Sequence, residues 1–541
     1  MKDQFIRSFT INIIYVNVLV MVTCLIGNFN SHACQIQLQN KVKNKEQKPN
    51  LLFIMTDQQR FDAMSCAGNT IIKTPNMDRL AREGVVFTNT YVANPVCVPS
   101  RSSFLTGFSP VNNHVLANGD YTSSNVPDLS TFDMVLKENG YHAEYYGKWH
   151  APLQFAICYD NNIKVTGGKD PNHESLVNAY QKWLLSKGVE PKSPAAGELY
   201  SKRNKRPYIP IGLDKNYDQV NLSENEKLKL KASQVSQYGK IDLPPRVSYS
   251  AYTAEETLDA LDRLKDETFT LTCSFDPPHP PTVVQEPYYS MYLPESIPAP
   301  VSITDPMVNS PYQKRASQKD QVLYRDVEQI KNMRSIYYGM VKEVDDWIGE
   351  ILDKLDDLGL AENTLVIFTS DHGEMLGDHG MHSKMIFYEG SVRVPLLMRF
   401  PKEIKKGTVV NQPVSAMDVF PTILDYLGVS IPKCDGISLK PFVLNRPADR
   451  VVISHSVGRS TPNYMVRYKN LKLMMGESNK NTGINALYDL DADPEEMRNL
   501  LYAPVDVAIN QKQAKDMKNL LVQWMEEHEP NKALDMAKRE L

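Results

Sequence analysis

At 541 residues the chain is too long for one compact core of ordinary size, so two or more domains are expected. Hydrophobic residues make up 42% and charged residues 23%, ordinary values for a soluble globular protein. A net charge of −4 excludes whole-molecule attraction to nucleic acid, and any polyanion must be met by a local basic patch.

The chain opens on Lys2 and Arg7, then an apolar run over residues 11–27, then small residues Ser31 and Ala33 where an export peptidase reads. This predicts a signal peptide over residues 1–33 and an exported chain, periplasmic or secreted. A retained membrane anchor fits less well, because the run is short and interrupted by Asn12 and Asn17. No integral membrane segment is expected after cleavage. Cleavage after Ala33 leaves Cys34 first, the position from which a surface lipoprotein is anchored, although Ser31 stands where lipoprotein signals usually carry leucine. Cys24 leaves with the signal. Cys66, Cys97, Cys158, Cys273 and Cys434 are widely spaced, show no disulfide framework and form no CxxC pair.

The larger predicted domain covers residues 34–428. "PNLLFIMTDQQR", residues 49–60, is an apolar run of strand length ending in polar residues. Residues 74–92 read as helix, glycine stop and strand. Residues 129–150 repeat that order and end on the polar tip Lys148 to His150. Residues 356–374 give a helix end, a strand and then acids. Strands alternating with helices predict a mostly parallel sheet sandwiched by helices, an α/β fold. Ligands in such sheets sit at the carboxyl ends of strands, and Asp57, Lys148 and Asp371 all fall just past predicted strands.

Residues 159–249 are rich in Lys, Asn, Pro and Ser and read as an insertion. Its basic cluster "KRNKRP", residues 202–207, suits a solvated loop or a contact for an anionic polymer. Residues 326–358 place Ile336, Met340, Val344 and Trp347 at helical spacing, a scaffold helix. From about residue 429 short strands follow one another, then a terminal helix from about Ala508. This predicts a smaller C-terminal antiparallel-sheet α+β subdomain over residues 429–541.

The chemistry centres on "NPVCVPSRSSFLTG", residues 94–107. Pro99 suits a first helical turn, which sets Cys97 at a helix N-terminus where free backbone amides favour anions. Arg101, one turn on, can point back to the same spot. The arrangement stabilises a nucleophile or an anion, and a half-disulfide remains open at this point. "TDQQ" and "TSDHGE" set Asp57, Gln58, Asp371 and His372 at two strand ends. Two carboxylates, an amide and an imidazole suit calcium or magnesium better than zinc, with His372 the odd member.

"CVPSRSSFLTG" resembles the C-x-P-S-R-x-x-x-x-T-G element of the type I, formylglycine-dependent sulfatases of the alkaline phosphatase superfamily. "TDQQ" precedes it, and "GKWH", "DPPHPP", "SDHGE", "HSKMIFYEGSVRVPL" and "LYDLDADPEEMRNL" follow in the family's order. The resemblance runs from about residue 49 to 500 and implies an alkaline-phosphatase-like fold. It implies that Cys97 is oxidised to formylglycine (3-oxoalanine) by a formylglycine-generating or anaerobic sulfatase-maturating enzyme. One hydroxyl of the hydrated aldehyde would attack sulfur, and the other would collapse and expel sulfate. Asp57, Gln58, Asp371 and His372 resemble the ligands of one calcium ion, Ca2+, with residue 97 a further ligand. Many members carry aspartate at the position of Gln58 and asparagine at that of His372, so this chain departs from them twice.

Arg101 resembles the arginine that supports the formylglycine. Lys148 would hold sulfate oxygen and His150 would assist collapse of the hydrate. His279 and Lys384 would flank the leaving oxygen, and one of them, His279 ahead of Lys384, would protonate it. His114, Asn118, His379 and His382 are neighbouring candidates for substrate contacts. The implied function is hydrolysis of sulfate esters of a sulfated carbohydrate, such as the algal polysaccharide ulvan or glycosaminoglycan fragments. One alternative is a phosphonate or phosphate ester hydrolase of the same superfamily. Another is a non-catalytic sulfated-glycan binding protein, which the complete metal and cation set disfavours.

Overall fold

Strand β1 (Asn50–Thr56, NLLFIMT) is buried along its whole length. Leu51, Phe53 and Met55 enter one hydrophobic core, and Leu52 and Ile54 enter a second. A strand with both faces covered needs a continuous apolar run, which is what these residues supply. The computed structural model describes residues 48–541 except 123–124, 166–173, 190–237, 241–242, 245, 317–323, 447–448, 458–461 and 477–483. The expected signal, Cys34 and the 202–207 basic cluster lie outside the described residues.

Around β1 the main sheet gathers β2 (Val85–Phe87), β3 (His142–Gly147), β4 (Phe269–Ser274), β5 (Thr364–Ser370), β6 (Leu396–Arg399) and β7 (Thr408–Val410). Their order is β7-β2-β6-β5-β1-β4-β3. β1 pairs in parallel with β4 and β5, β3 with β4, and β7 with β2. β6 alone runs antiparallel to its neighbours. The sheet is therefore mostly parallel, as expected.

Helices cover both faces. Phe104 of α2 (Cys97–Thr106), Phe132 of α3 (Phe132–Glu138) and Phe420 of α6 (Val419–Tyr426) share the core of Phe53. Met77 of α1 (Pro75–Glu83), Leu261 of α4 (Tyr249–Leu264) and Ile348 of α5 (Val327–Asp357) share that of Ile54. α5 is the expected scaffold helix, and Asp326 caps it by accepting from the backbone amides of Glu328 and Gln329. Part of the expected insertion lies among the described residues. A helix over Leu176–Ser186 packs Tyr180 and Trp183 against Tyr249 and Tyr252.

The C-terminal strands β8 (Val452–His455), β9 (Tyr464–Tyr468), β10 (Leu471–Met475) and β11 (Ala486–Asp489) form an antiparallel meander. Tyr464 and Val466 face a core shared with Met517 and Leu521, while Met465 between them enters the core of Phe53. The small sheet thus joins the large one through its second face, and Pro49–Leu541 form one compact unit. The expected single terminal helix is two, α7 (Val507–His528) and α8 (Pro530–Lys538). Pro530 has no amide hydrogen to continue α7 and instead opens α8 at its first turn. Among the described residues no helix is long and apolar enough to cross a membrane.

Candidate active site

Asp57 follows β1 and Asp371 follows β5. These strands pair in register, Thr56 beside Ser370, so the two carboxylates emerge side by side. Lys148 follows β3 and Asp276 lies just beyond β4, on the same carboxyl edge. Cys97 is the first residue of α2, where Val96 is the N-cap. It is a free thiol, as are Cys66, Cys158, Cys273 and Cys434, and it is 1% exposed. That removes the half-disulfide reading.

The side chains converge on this thiol. Lys384 Nζ lies 2.9 Å from Cys97 Sγ, and His372 Nε2 lies 3.2 Å from it. His150 and His279 stand near enough to Cys97 to act on its charge. Arg101 donates Nε to Asp371 Oδ2 at 2.7 Å and Nη2 to Asp57 Oδ2 at 3.2 Å. Its Nη1 donates to Lys148 O and Ser274 Oγ, which fixes the guanidinium plane beneath the site. Lys148 Nζ bridges Asp57 Oδ2 at 2.8 Å and Asp276 Oδ1 at 2.7 Å. His279 Nε2 stands 4.0 Å from Asp57 Oδ1.

Asp57, Cys97, Asp371 and His372 present one ligand atom each, all within 4.8 Å of one another. Asp57 Oδ1 is buried and accepts no hydrogen bond. A buried carboxylate oxygen without a donor is costly unless a cation meets it, so this donor set fits a divalent ion. His372 Nδ1 faces the Gly373 carbonyl at 2.9 Å. A carbonyl only accepts, so Nδ1 carries a proton and Nε2 is the ring atom turned toward the cluster, the one a metal ion would take.

The electrostatics follow from the crowding. Burial opposes the Asp57 charge, yet Lys148, His279, Lys384 and His372 hold its carboxyl well below the usual range. Burial, reinforced by the Asp57 charge, pushes Asp371 up to about 6. Burial and Asp57 work against a Cys97 thiolate, but Lys384, His372 and His150 outweigh them and bring the thiol well below its ordinary value. Burial, Lys148 and Lys384 lower His279.

The structure therefore brings together Asp57, Gln58, Cys97, Arg101, Lys148, His150, His279, Asp371, His372 and Lys384. Gln58 joins through its side-chain oxygen, 2.9 Å from Lys384 Nζ. Asn118 Oδ1 accepts from Val98 N at 3.1 Å, one residue from the thiol. The other neighbouring candidates stand apart from the cluster. His114 contacts the Asn125 carbonyl, His379 pairs with Asp305 at 2.8 Å and stacks on Tyr388, and His382 stacks on Tyr324. Burial drives His382 down to about 3, so it is neutral. Asp276 and Glu374 were assigned no role from sequence. Asp276 obeys the same strand-end rule as Asp57. A separate cavity of about 380 Å³, lined by Arg60, Asp378, Glu389, Arg393, Arg467 and Glu496, contains none of the converging groups.

A buried thiol at a helix N-terminus, paired carboxylates able to hold a metal ion and a ring of cations suit a hydrolase of anionic esters, built on an alkaline-phosphatase-like sheet. The family model described as Sulfatase matches residues 49–429, and one described as N-sulphoglucosamine sulphohydrolase, C-terminal, matches residues 377–523. The chain belongs to the sulfatase family and is a sulfuric ester hydrolase. An arylsulfatase of Clostridium perfringens is 31% identical over 477 residues, covering 84% of this chain and 90% of that protein. An ulvan-active sulfatase of Formosa agariphila is 29% identical and covers 87% of this chain and 81% of its own length. The solved phosphonate monoester hydrolase of Agrobacterium radiobacter superposes with a TM-score of 0.69 at 26% identity, covering 88% of this chain and 96% of that one.

Proposed function

We propose that this enzyme hydrolyses sulfate esters of a sulfated carbohydrate, with residue 97 as formylglycine and one calcium ion beside it. The observation that carries the reading is the position of Cys97, at a helix N-terminus between Lys384 and His372 and inside the Asp57, Asp371 and His372 donor set. Asp57, Gln58, Asp371 and His372 would hold the calcium, which supplies positive charge for the nucleophile and for a sulfate oxygen. Formylglycine at residue 97 would supply a second hydroxyl that lets sulfate leave without attack by water.

The chain's own residues do the rest. Arg101 holds Asp57 and Asp371 apart and in plane. Lys148 and Lys384 bind the sulfate oxygens, over which negative charge spreads in the transition state. His279 protonates the leaving oxygen. Burial, then Lys148 and Lys384, lower its proton affinity in the free site, and an arriving sulfate offsets the lysines by adding negative charge. His150, close to residue 97, would accept a proton at that position.

The carbohydrate substrate is supported by the ulvan-active relative and by the match to a sulphoglucosamine sulphohydrolase region. Algal polysaccharide and glycosaminoglycan fragments are the candidate classes. Residues 34–428 carry the chemistry and 429–541 brace it, while residues 1–33 direct export and leave Cys34 available for a lipid anchor. Conversion of residue 97 requires a maturating enzyme as partner. Peptide mass spectrometry around residue 97, with a screen of sulfated mono- and disaccharides, tests the reading. An unmodified thiol in active enzyme, or no release of sulfate, would sink it.

A second reading, phosphonate or phosphate ester hydrolysis, is favoured by the similarity to the Agrobacterium radiobacter enzyme. Sulfate and phosphate esters of one aryl alcohol, compared by kcat/KM, separate the two.

A further inference from the structure

Gln58 is an unusual choice beside a metal site, because its amide has one end that suits a cation and one that repels it. Rotating the amide by half a turn would exchange them. Two contacts fix its orientation. Lys384 Nζ stands 2.9 Å from Gln58 Oε1, and an ammonium only donates, so the atom facing it is oxygen. At the other end Gln58 Nε2 donates to Glu374 Oε2. A carboxylate only accepts, so the nitrogen must face it.

Glu374 is placed for this task. It is 5% exposed, and among the described residues its carboxylate has no ion pair. Its Oε1 accepts from Leu376 N at 3.1 Å and from Ser383 N. Ser383 directly precedes Lys384. One carboxylate therefore holds the Gln58 amide with one oxygen and the loop carrying Lys384 with the other. The Gln58 backbone is fixed as well, since its N–H donates to Asp371 Oδ1 and its carbonyl accepts from Tyr337 Oη. Only the side-chain amide is left for Glu374 to orient.

We infer that Glu374 is a positioning residue that turns Gln58 into an oxygen donor for the cation of the Asp57 and Asp371 cluster. The inference rests on the calcium reading of that site. The substitution Glu374→Gln removes this control. If the new amide's oxygen serves Leu376 N and Ser383 N, its nitrogen meets the Gln58 nitrogen and forces that amide to turn over. If its oxygen serves Gln58, its nitrogen faces two backbone donors. Exchanging the pair, Gln58→Glu with Glu374→Gln, restores complementarity. The amide nitrogen introduced at position 374 then donates to a carboxylate that still offers the cation an oxygen.

The test is calcium affinity of the full chain, stripped with chelator and titrated by calorimetry. Glu374→Gln is expected to bind calcium about 10–100-fold more weakly than wild type. The exchanged pair is expected to return to wild-type affinity or better. Wild-type affinity in Glu374→Gln, or equal weakness in the exchanged pair, overturns the inference. Wild-type protein that binds no calcium overturns the calcium reading beneath it, a separate outcome. Should Glu374→Gln fail to fold, the exchanged pair decides alone. Folding with wild-type affinity supports the inference, and a calcium-blind or unfolded pair overturns it.

Discussion

The Lys384 ammonium lies 2.9 Å from Cys97 Sγ in a site sealed from water on the protein side. A cation so close to the nucleophile position is worth more there than in water, because the surroundings screen it poorly. Lys384→Ala should lower kcat by about 10²–10³ on an aryl sulfate, the usual loss for one preorganised charge donor. Its melting temperature should stay near that of wild type, since the lysine adds positive charge to a site already holding Arg101 and Lys148. A loss below tenfold would mean that Lys384 faces the site without acting in it.

Metal removal should act on stability as well as rate. Asp57 Oδ1 has no hydrogen-bond partner, and Asp371 lies beside it. Stripping with chelator should abolish sulfate release and lower the melting temperature, and added calcium should restore both, as binding to the folded state alone requires. Arg101→Ala should be worse than metal loss. It leaves two buried carboxylates without their guanidinium, a change that costs about 3–5 kcal/mol. Unchanged melting temperatures in either experiment would show that the carboxylates do not need these cations.

Much of this site was legible because it obeys one rule. Asp57, Lys148 and Asp371 each follow an apolar strand, and parallel strands deliver their carboxyl ends to one edge. Asp276 follows the same rule, but in "DPPHPP" the histidine between prolines is the more conspicuous group. Glu374 was not legible, because its partners Gln58 and Ser383 come together only when the loop folds back. That loop also explains His379 and His382. They sit within five residues of Lys384, yet left-handed backbone at Leu376, His379, Ser383 and Met385 reverses the chain repeatedly and sends those rings away from the thiol. Proximity in sequence carries little information through such turns. The two faces of the C-terminal sheet were invisible for a related reason. Lys472 interrupts the apolar strand LKLMM and looks solvent-facing, but it is fully buried.

Asp133 makes a prediction about pH that is separate from catalysis. Its carboxylate accepts from Tyr159 Oη at 2.7 Å and from Thr270 Oγ1 at 2.5 Å, and burial still pushes its pKa up to about 6. The folded value lies above the unfolded one of about 3.9, so the folded state holds the proton more tightly. Its contribution is full below the unfolded value and is lost as pH rises through 6. Asp133→Asn removes that dependence. The stability of wild type relative to Asp133→Asn should therefore fall between pH 4 and 7, by about 2–3 kcal/mol. Denaturant melts at several pH values read this directly, and parallel curves for the two proteins would refute it.

Lys472 tests whether the C-terminal residues hold the catalytic loop in place. Its Nζ pairs with Glu389 Oε1 at 2.6 Å and with Glu496 Oε1 at 2.8 Å, and the Glu389 amide donates to Glu496 Oε2 at 2.7 Å. Glu389 ends the stretch that carries Glu374 and Lys384, while Lys472 and Glu496 belong to the C-terminal part. Burial and the Glu389 charge raise Glu496 to about 7 even with Lys472 present. Removing the lysine leaves two buried acids facing each other. Lys472→Met should destabilise the protein by about 3–5 kcal/mol. Adding Glu496→Gln should recover part of that loss, because a neutral amide can donate to Glu389 where the lysine did. Recovery identifies the pairing as the cause. A double variant no more stable than Lys472→Met would place the defect in lost packing, and the C-terminal sheet would then brace the loop through its apolar face alone.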